Sequence, residues 1–380
     1  MPATIFDTPA TGALQEAAAD VVQRVVAPLC AATPPGARMS AQDLRTCLRA
    51  LAPLGYLGST IPRELGGAGL SYVAYGILLE ALARGPLLLS EVVPPRTINY
   101  LGSEEQKRRW MPQLFAGDWI GTAAITEPQA GSDMRAFTAT AELRGDHYVI
   151  NGRKRWLKHG STADLITLMV KDAATGGLSR LVLERDVSPW HSEDIATVGL
   201  RQLSLAEIVF EDCRVPRENL LGQAGVGGEQ FHRGIEASRA FIGIQAAGLA
   251  GRALELAQAY ARERVAFGRP IGRFQAIQVA LADAATRVQA ARLLCLNALA
   301  LLDAGGRSPC DVAMAKSYAV DTALAVSQTA MECMGAWGTA EDAQVERCWR
   351  DAAMLAAIDG TGNIQRLIIG RETLGMSAFA

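Results

Sequence analysis

A chain of 380 residues, 49% apolar and 20% charged with a formal net charge of −2, is long enough for two or three domains and has an ordinary globular composition. It lacks the basic block that nucleic-acid or anionic-membrane binding needs, and its seven scattered cysteines, with no CxxC pair, exclude a disulfide framework and point to reduced thiols. Its four histidines show no metal spacing, and no run approaches the roughly 18 uninterrupted apolar residues of a membrane span. The first residues carry Asp7, Glu16 and Asp20 and no basic-then-apolar leader, so a cytoplasmic protein without a metal is expected.

Up to about residue 118 the pattern predicts helices separated by Gly/Pro loops. TPPGA breaks the chain after the first helical segment, and IPRELGGAGLS connects two further ones. SEEQKRRWMPQL begins on Ser103 as an N-cap, with Glu104 and Glu105 at the positive end of the helix dipole. Near residue 120 the texture changes. TATAELRGDHYVINGRKRWL, DLITLMV, SRLVLERD and AEIVFEDCRV are β-favouring runs split by Gly-Asp, Asn-Gly and Gly-Gly pairs, and Asn151-Gly152 reads as a hairpin turn. A small sheet or barrel ending near Gly222 is expected.

After GQAGVGGEQ the chain reads as helix to its end. Ile242, Ala246, Leu249, Ala253 and Leu256 form one apolar stripe; Phe274, Ile277, Leu281, Ala284, Val288 and Ala291 form another. Their alanines suit the close packing of a four-helix bundle. The whole is an α+β chain with a helical domain at 1–118, a β domain at 119–223 and a helical bundle at 224–380.

Between the apolar run WIGTAAI and the hairpin-rich region lies Thr126-Glu127-Pro128-Gln129-Ala130-Gly131-Ser132-Asp133, a loop of hydroxyls and turn formers. Trp156 follows it, and far downstream come RVAFGRP, GAWG and DGTGNIQR. In this order and spacing these motifs resemble the acyl-CoA dehydrogenase family of flavoproteins, over nearly the whole chain. The resemblance implies the architecture of a helical domain, a small β-barrel and a four-helix bundle, noncovalent FAD, and a homo-oligomer, either tetramer or dimer. It implies that Thr126 holds the pyrimidine edge of the flavin, that Ser132 lies near the pyrophosphate and the substrate, and that Trp156 stacks on the ring. Arg264, Phe267 and Gln275, with the GAWG segment at Gly335, match positions that complete a neighbouring subunit's cofactor site. Thr361 and Asn363 match residues at the adenine half. Arg suits a diphosphate because its planar fork donates two hydrogen bonds at once.

The reaction so implied is α,β-desaturation of an acyl thioester on CoA or a carrier protein, passing electrons to an electron-transfer flavoprotein or another acceptor. A base removes the α-proton while the β-hydride passes to flavin N5. The acid-Gly-Thr motif places that base at Asp359, on the order of 1 Å shorter in reach than the more usual Glu. A second branch carries its base just before an Arg on the first bundle helix. Here that position is Ser238 beside Arg239, a substrate-side residue, and Glu236 lies roughly 200° around the helix.

Lys158 stands where the family usually has a hydroxyl residue against flavin N5. It would either meet the ring or an anionic substrate, or turn outward. Three readings remain open: a thioester dehydrogenase, a flavin oxidase or monooxygenase of nitroalkane-oxidase type with an Asp base, and a non-catalytic thioester-binding relative. Arg96, in VVPPR, reads as a surface charge, the alternative being a pocket residue that selects a carboxylated acyl group.

Overall fold

The computed structural model describes residues 4–378, with the backbone alone for Glu229, Gln230, His232 and Arg233. Helices α1 (Pro9–Val21), α2 (Ala27–Ala32), α3 (Ala41–Leu51), α4 (Tyr72–Ala83), α5 (Val93–Leu101) and α6 (Glu104–Ala116) build the first region. Ser103 caps α6 in a reciprocal box with Gln106, which meets two of the first-turn donors that a helix leaves unpaired. α4 is apolar on most of its surface because it is sandwiched between α1 and the long helix α7 (Gly227–Glu263).

Strands β1 (Gly121–Ala124), β2 (Thr140–Arg144), β3 (His147–Lys158), β4 (Leu165–Asp172), β5 (Leu178–Glu184), β6 (His191–Asp194), β7 (Leu205–Pro216) and β8 (Leu220–Leu221) form one sheet. Its order is β6-β7-β3-β2-β4-β5-β8. β1 and β2 share one edge of β4: β1 pairs with Leu165–Leu168 and β2 with Lys171 and Asp172. Residues 125–139 therefore leave and rejoin the same sheet edge as a single excursion. That excursion contains the hydroxyl-rich loop.

The Asn151-Gly152 hairpin does not form. Gly145-Asp146 makes the turn between β2 and β3, with Arg144 paired to His147. Asn151 lies inside β3, where its amide exchanges hydrogen bonds of 3.0 and 2.8 Å with Asp212 of β7. Gly152 takes φ +135° at a register shift against β7, and a Cβ there would meet Ala139 Cα at 2.6 Å. The dipeptide supplies the unusual backbone that a turn would use, but spends it on a bulge.

Past the sheet, α7 is followed by a short hairpin of β9 (Val265–Ala266) and β10 (Arg269–Pro270), then α8 (Gln275–Asp303), α9 (Pro309–Met334), α10 (Val345–Leu355) and α11 (Gly362–Leu374). α7, α8 and α9 pack on one another, with α10 and α11 against α9. The α7 stripe is buried from Ile242 to Ala253. Of the second stripe, Ala284, Val288 and Ala291 are buried, while Phe274, Ile277 and Leu281 are half-covered. α8 is long and apolar enough to cross a membrane by composition, yet its C-terminal half forms the bundle core against α7 and α9.

Candidate active site

A buried ion pair shapes the 125–139 excursion. Lys154 of β3 reaches Glu127 at 2.8 Å and the carbonyl of Ile125 at 2.7 Å, with both charged side chains essentially excluded from water. Glu127 also accepts from the backbone N–H groups of Thr138 (2.7 Å) and Ala139 (3.1 Å), so one carboxylate ties both ends of the excursion together. The Arg155 N–H donates to Thr126 O at 2.8 Å. Thr126 is half-buried on this frame and Ser132 is exposed at its far side.

One extra residue in β3 between Lys154 and Leu157 breaks the register with β7. Trp156 occupies this bulge at φ +69°, a conformation that costs a bulky residue about 1–3 kcal/mol and persists where the surroundings impose it. Its indole remains 49% exposed, with the Arg155 guanidinium 4.9 Å from the ring centre. A large aromatic held out of the core in a strained backbone is able to stack on a flat ligand.

Asp359 takes φ +53° and Gly360 +94°. Three side chains hold this turn by its carbonyls. Lys316 donates to Ile358 O and Gly360 O, Arg239 Nε to Asp359 O at 3.0 Å, and Gln365 to Gly360 O at 3.0 Å. Burial pushes the Lys316 ammonium down to about 8, opposed by Asp359 and reinforced by Arg239. The Asp359 carboxylate itself makes no hydrogen bond or ion pair with the described residues.

A second acid is presented in the same manner. Gln245 donates to Leu89 O (2.9 Å), Tyr56 to Ser90 O (2.6 Å), and Lys158 to Ser90 O (3.1 Å), Ser90 Oγ (2.6 Å) and Glu91 O (3.2 Å). Glu91 pairs with Arg96 at 3.0 Å and accepts from Ser238 Oγ at 2.9 Å. Burial raises the Glu91 pKa, and Arg96 works against it. Lys158 falls to about 8 through burial, offset by the charges of Glu91 and Asp359, so these groups share one site. Arg96 is therefore not a surface charge, and Lys158 neither turns outward nor keeps its ammonium free.

Trp156, Lys158, Asp359 and Arg239 are thus brought to one site, with Thr126 beside β3. Glu91, Lys316 and Gln365 belong to it as well, and reading the sequence missed them. The signal was present: Lys316 interrupts an otherwise apolar helix face, and Glu91 is a lone acid in LLLSEVVPP.

Thr361 and Asn363 follow the Asp359 turn directly, whereas Arg264, Phe267, Gln275 and Gly335 lie elsewhere. At about 1.5 Å per residue α7 carries Arg264 roughly 38 Å from Arg239. Arg264 and Gln275 are exposed, and Phe267 stands at the tip of the β9–β10 hairpin, 95% exposed at φ +50°. Gly335 is exposed at φ +61° after α9; Thr361, the N-cap of α11, and Asn363 are exposed too.

Residues 8–118, 122–213 and 225–374 match, in turn, the N-terminal, middle and C-terminal domains of acyl-CoA dehydrogenase. The chain belongs to the acyl-CoA dehydrogenase family. It is 35% identical over 339 residues to the human mitochondrial short-chain specific acyl-CoA dehydrogenase, covering 86% of this chain and 82% of that one. It is 37% identical over 334 residues to the cyclohex-1-ene-1-carbonyl-CoA dehydrogenase of Syntrophus aciditrophicus, covering 85% and 81%. The solved glutaryl-coenzyme A dehydrogenase complex with glutaryl-CoA superposes with a TM-score of 0.90 at 32% identity, over 99% of this chain and 97% of that one. As an acyl-CoA dehydrogenase family member, the protein is an FAD-dependent oxidoreductase acting on CH–CH bonds.

Proposed function

We propose that this protein desaturates the Cα–Cβ bond of a short or compact acyl thioester, with Asp359 taking the α-proton. FAD, when bound, supplies the acceptor for the β-hydride. The half-exposed Trp156 at its bulge and the hydroxyl loop fixed by Glu127 fit a flavin. Trp156 and Thr126 would hold the ring, Ser132 the phosphate side, and Thr361 and Asn363 the adenine half.

The observation that carries this reading is the state of the two acids. Glu91 is committed to Arg96 and Ser238, whereas the Asp359 carboxylate is unengaged and lies within electrostatic reach of Lys158, two residues from Trp156. A substrate between Trp156 and Asp359 meets a base on one side and the flavin surface on the other. Arg239, Lys316 and Gln365 fix the base through its backbone.

The Glu91–Arg96–Ser238 cluster limits the acyl group. A long alkyl chain laid against a buried ion pair would strip it of polar contacts without replacing them. The names of the relatives, a short-chain enzyme and a cyclohexene-carbonyl-CoA enzyme, accord with a compact acyl group.

The cofactor site is completed by a second copy. Arg264, Phe267 and Gln275 are too far along the bundle to meet the site containing Asp359 in their own chain, and Phe267 is left uncovered with the first half of the α8 stripe. Electrons then pass to an electron-transfer flavoprotein. The test is an anaerobic panel of acyl thioesters, in CoA and carrier-protein forms, scored by flavin bleaching. Short thioesters should bleach it, and bleaching by none would overturn the reading. Stoichiometric peroxide in air would assign the enzyme to the oxidases instead.

A further inference from the structure

Arg180 on β5 is 4% exposed, and its Nε and Nη1 have no hydrogen-bond partner. No carboxylate among the described residues pairs with it. The other buried arginine among the described residues is matched: Arg292 reaches Asp7 and Glu80, each at 2.8 Å, and the half-buried Arg96 also meets a carboxylate, Glu91. The charge that Arg180 acts on is Lys154, another cation, and burial alone sets its own pKa, down to about 10. A buried guanidinium without an anion is strongly disfavoured, and among the described residues none supplies one, so its surroundings fit an anionic ligand.

A second, independent feature lies beside it. Helix α7 begins with no side-chain cap hydrogen bond from Val226, at the positive end of a helix of 37 residues. A Cβ on Gly227 would fall 3.1 Å from Arg180 Cγ, which places the arginine stem directly against the helix start. Phe231, in the first turns, lies 5.4 Å from the guanidinium. Leu178, one residue pair along the same face of β5, packs with Phe137, Ala130 and Phe231, so the cation lies between α7 and the excursion that carries Ser132.

We infer that Arg180 and the first turn of α7 bind a phosphate, that of the phosphopantetheine arm shared by CoA and carrier-protein thioesters. The inference rests on the thioester reading above. A phosphate takes two hydrogen bonds from a guanidinium and further ones from backbone N–H groups at a helix start. It also supplies the missing anion at each catalytic encounter and leaves with the product.

The test uses the FAD-loaded enzyme, wild type and Arg180→Met, with one acyl group carried on CoA, on 4′-phosphopantetheine and on pantetheine without phosphate. With an artificial acceptor, Arg180→Met should raise KM for the two phosphorylated thioesters about tenfold to hundredfold. Its kcat should stay within twofold, and KM for the pantetheine thioester should move less than threefold. Free CoA should raise the melting temperature of the wild type and leave that of Arg180→Met unmoved; Arg180→Lys supplies an intermediate case.

An equal rise in KM for all three thioesters would overturn the inference. So would a rise for CoA alone, which would assign the arginine to the adenosine-side phosphates, or loss of FAD from the variant, which would assign it to the cofactor's diphosphate. Failure of the wild type to turn over any thioester would instead remove the underlying reading.

Discussion

The Glu91 carboxylate accepts a 2.9 Å hydrogen bond from Ser238, the residue that precedes Arg239 on α7. The sequence shows no acid at that helix position, yet a carboxylate reaches it from a loop 147 residues away. The site therefore contains two acids, and what holds each decides its role. Glu91 is paired with Arg96, and in the proposed reading it forms part of the acyl-side wall. Asp359 is held only by its backbone, which leaves its carboxylate oxygens unengaged among the described residues and, in the proposed reading, available as the base.

Asp359→Asn should slow flavin reduction by about 100-fold or more while substrate still binds, because it preserves shape and removes the base. Glu91→Gln should slow it by less than about tenfold and broaden the acyl-length profile instead, since it loosens the wall without touching the base. Stopped-flow bleaching with a short and a long acyl-CoA measures both. Comparable rate losses in the two variants would contradict the division of roles.

Lys154→Ala should destabilise the fold by about 3–5 kcal/mol, the range for leaving one partner of a buried ion pair alone. Glu127 would remain buried, with Thr138 and Ala139 as donors but no cation. Urea unfolding of the flavin-free protein measures the loss. FAD retention should weaken with it, because the same carboxylate ties both ends of the hydroxyl loop.

Phe267→Asp should shift the assembly toward a species near the chain mass of 40.4 kDa, and Arg264→Ala should weaken FAD retention by roughly 1.5–3 kcal/mol, the worth of a charge-assisted contact. Light scattering and flavin release upon dilution measure the two effects. A wild-type protein that is monomeric with FAD firmly bound would refute the shared site.

Local devices were legible in the sequence, and encounters between distant segments were not. The Ser103 cap and the α7 stripe depend on neighbours a few residues apart, and each formed. Asn151-Gly152 fixed a local backbone preference without fixing its use, so the same residues served a bulge. From sequence, Lys158 faces either a ligand or solvent. Its actual partners, Ser90 and Glu91, lie in an apolar loop about which strand periodicity says nothing. The turn at Asp359 falls where its motif places it. Its support by Lys316 and Arg239 was not legible, because those donors bind backbone carbonyls, which carry no residue signature.

Lys316 gives the site a pH limit with a definite sign. Its ammonium donates to the carbonyls on either side of Asp359, and burial brings its pKa from 10.5 to about 8. Raising the pH through about 8 removes the charge that grips the turn, so flavin reduction should fall on the alkaline side. Unfolding does not explain such a fall. Between the folded value near 8 and the unfolded value of 10.5 the unfolded chain binds more protons at this lysine, so its contribution to stability rises with pH across that window. Activity should therefore decline where this group makes the fold more secure. Lys316→Arg keeps a donor that stays charged, and its alkaline limb should move above pH 10, with some loss of maximal rate from the larger head group. The profile is read from single-turnover bleaching between pH 6 and 10, with thermal melts on the same samples. An unchanged alkaline limb in the arginine variant would assign the titration to another group of the site, with Lys158 as the next lysine to replace.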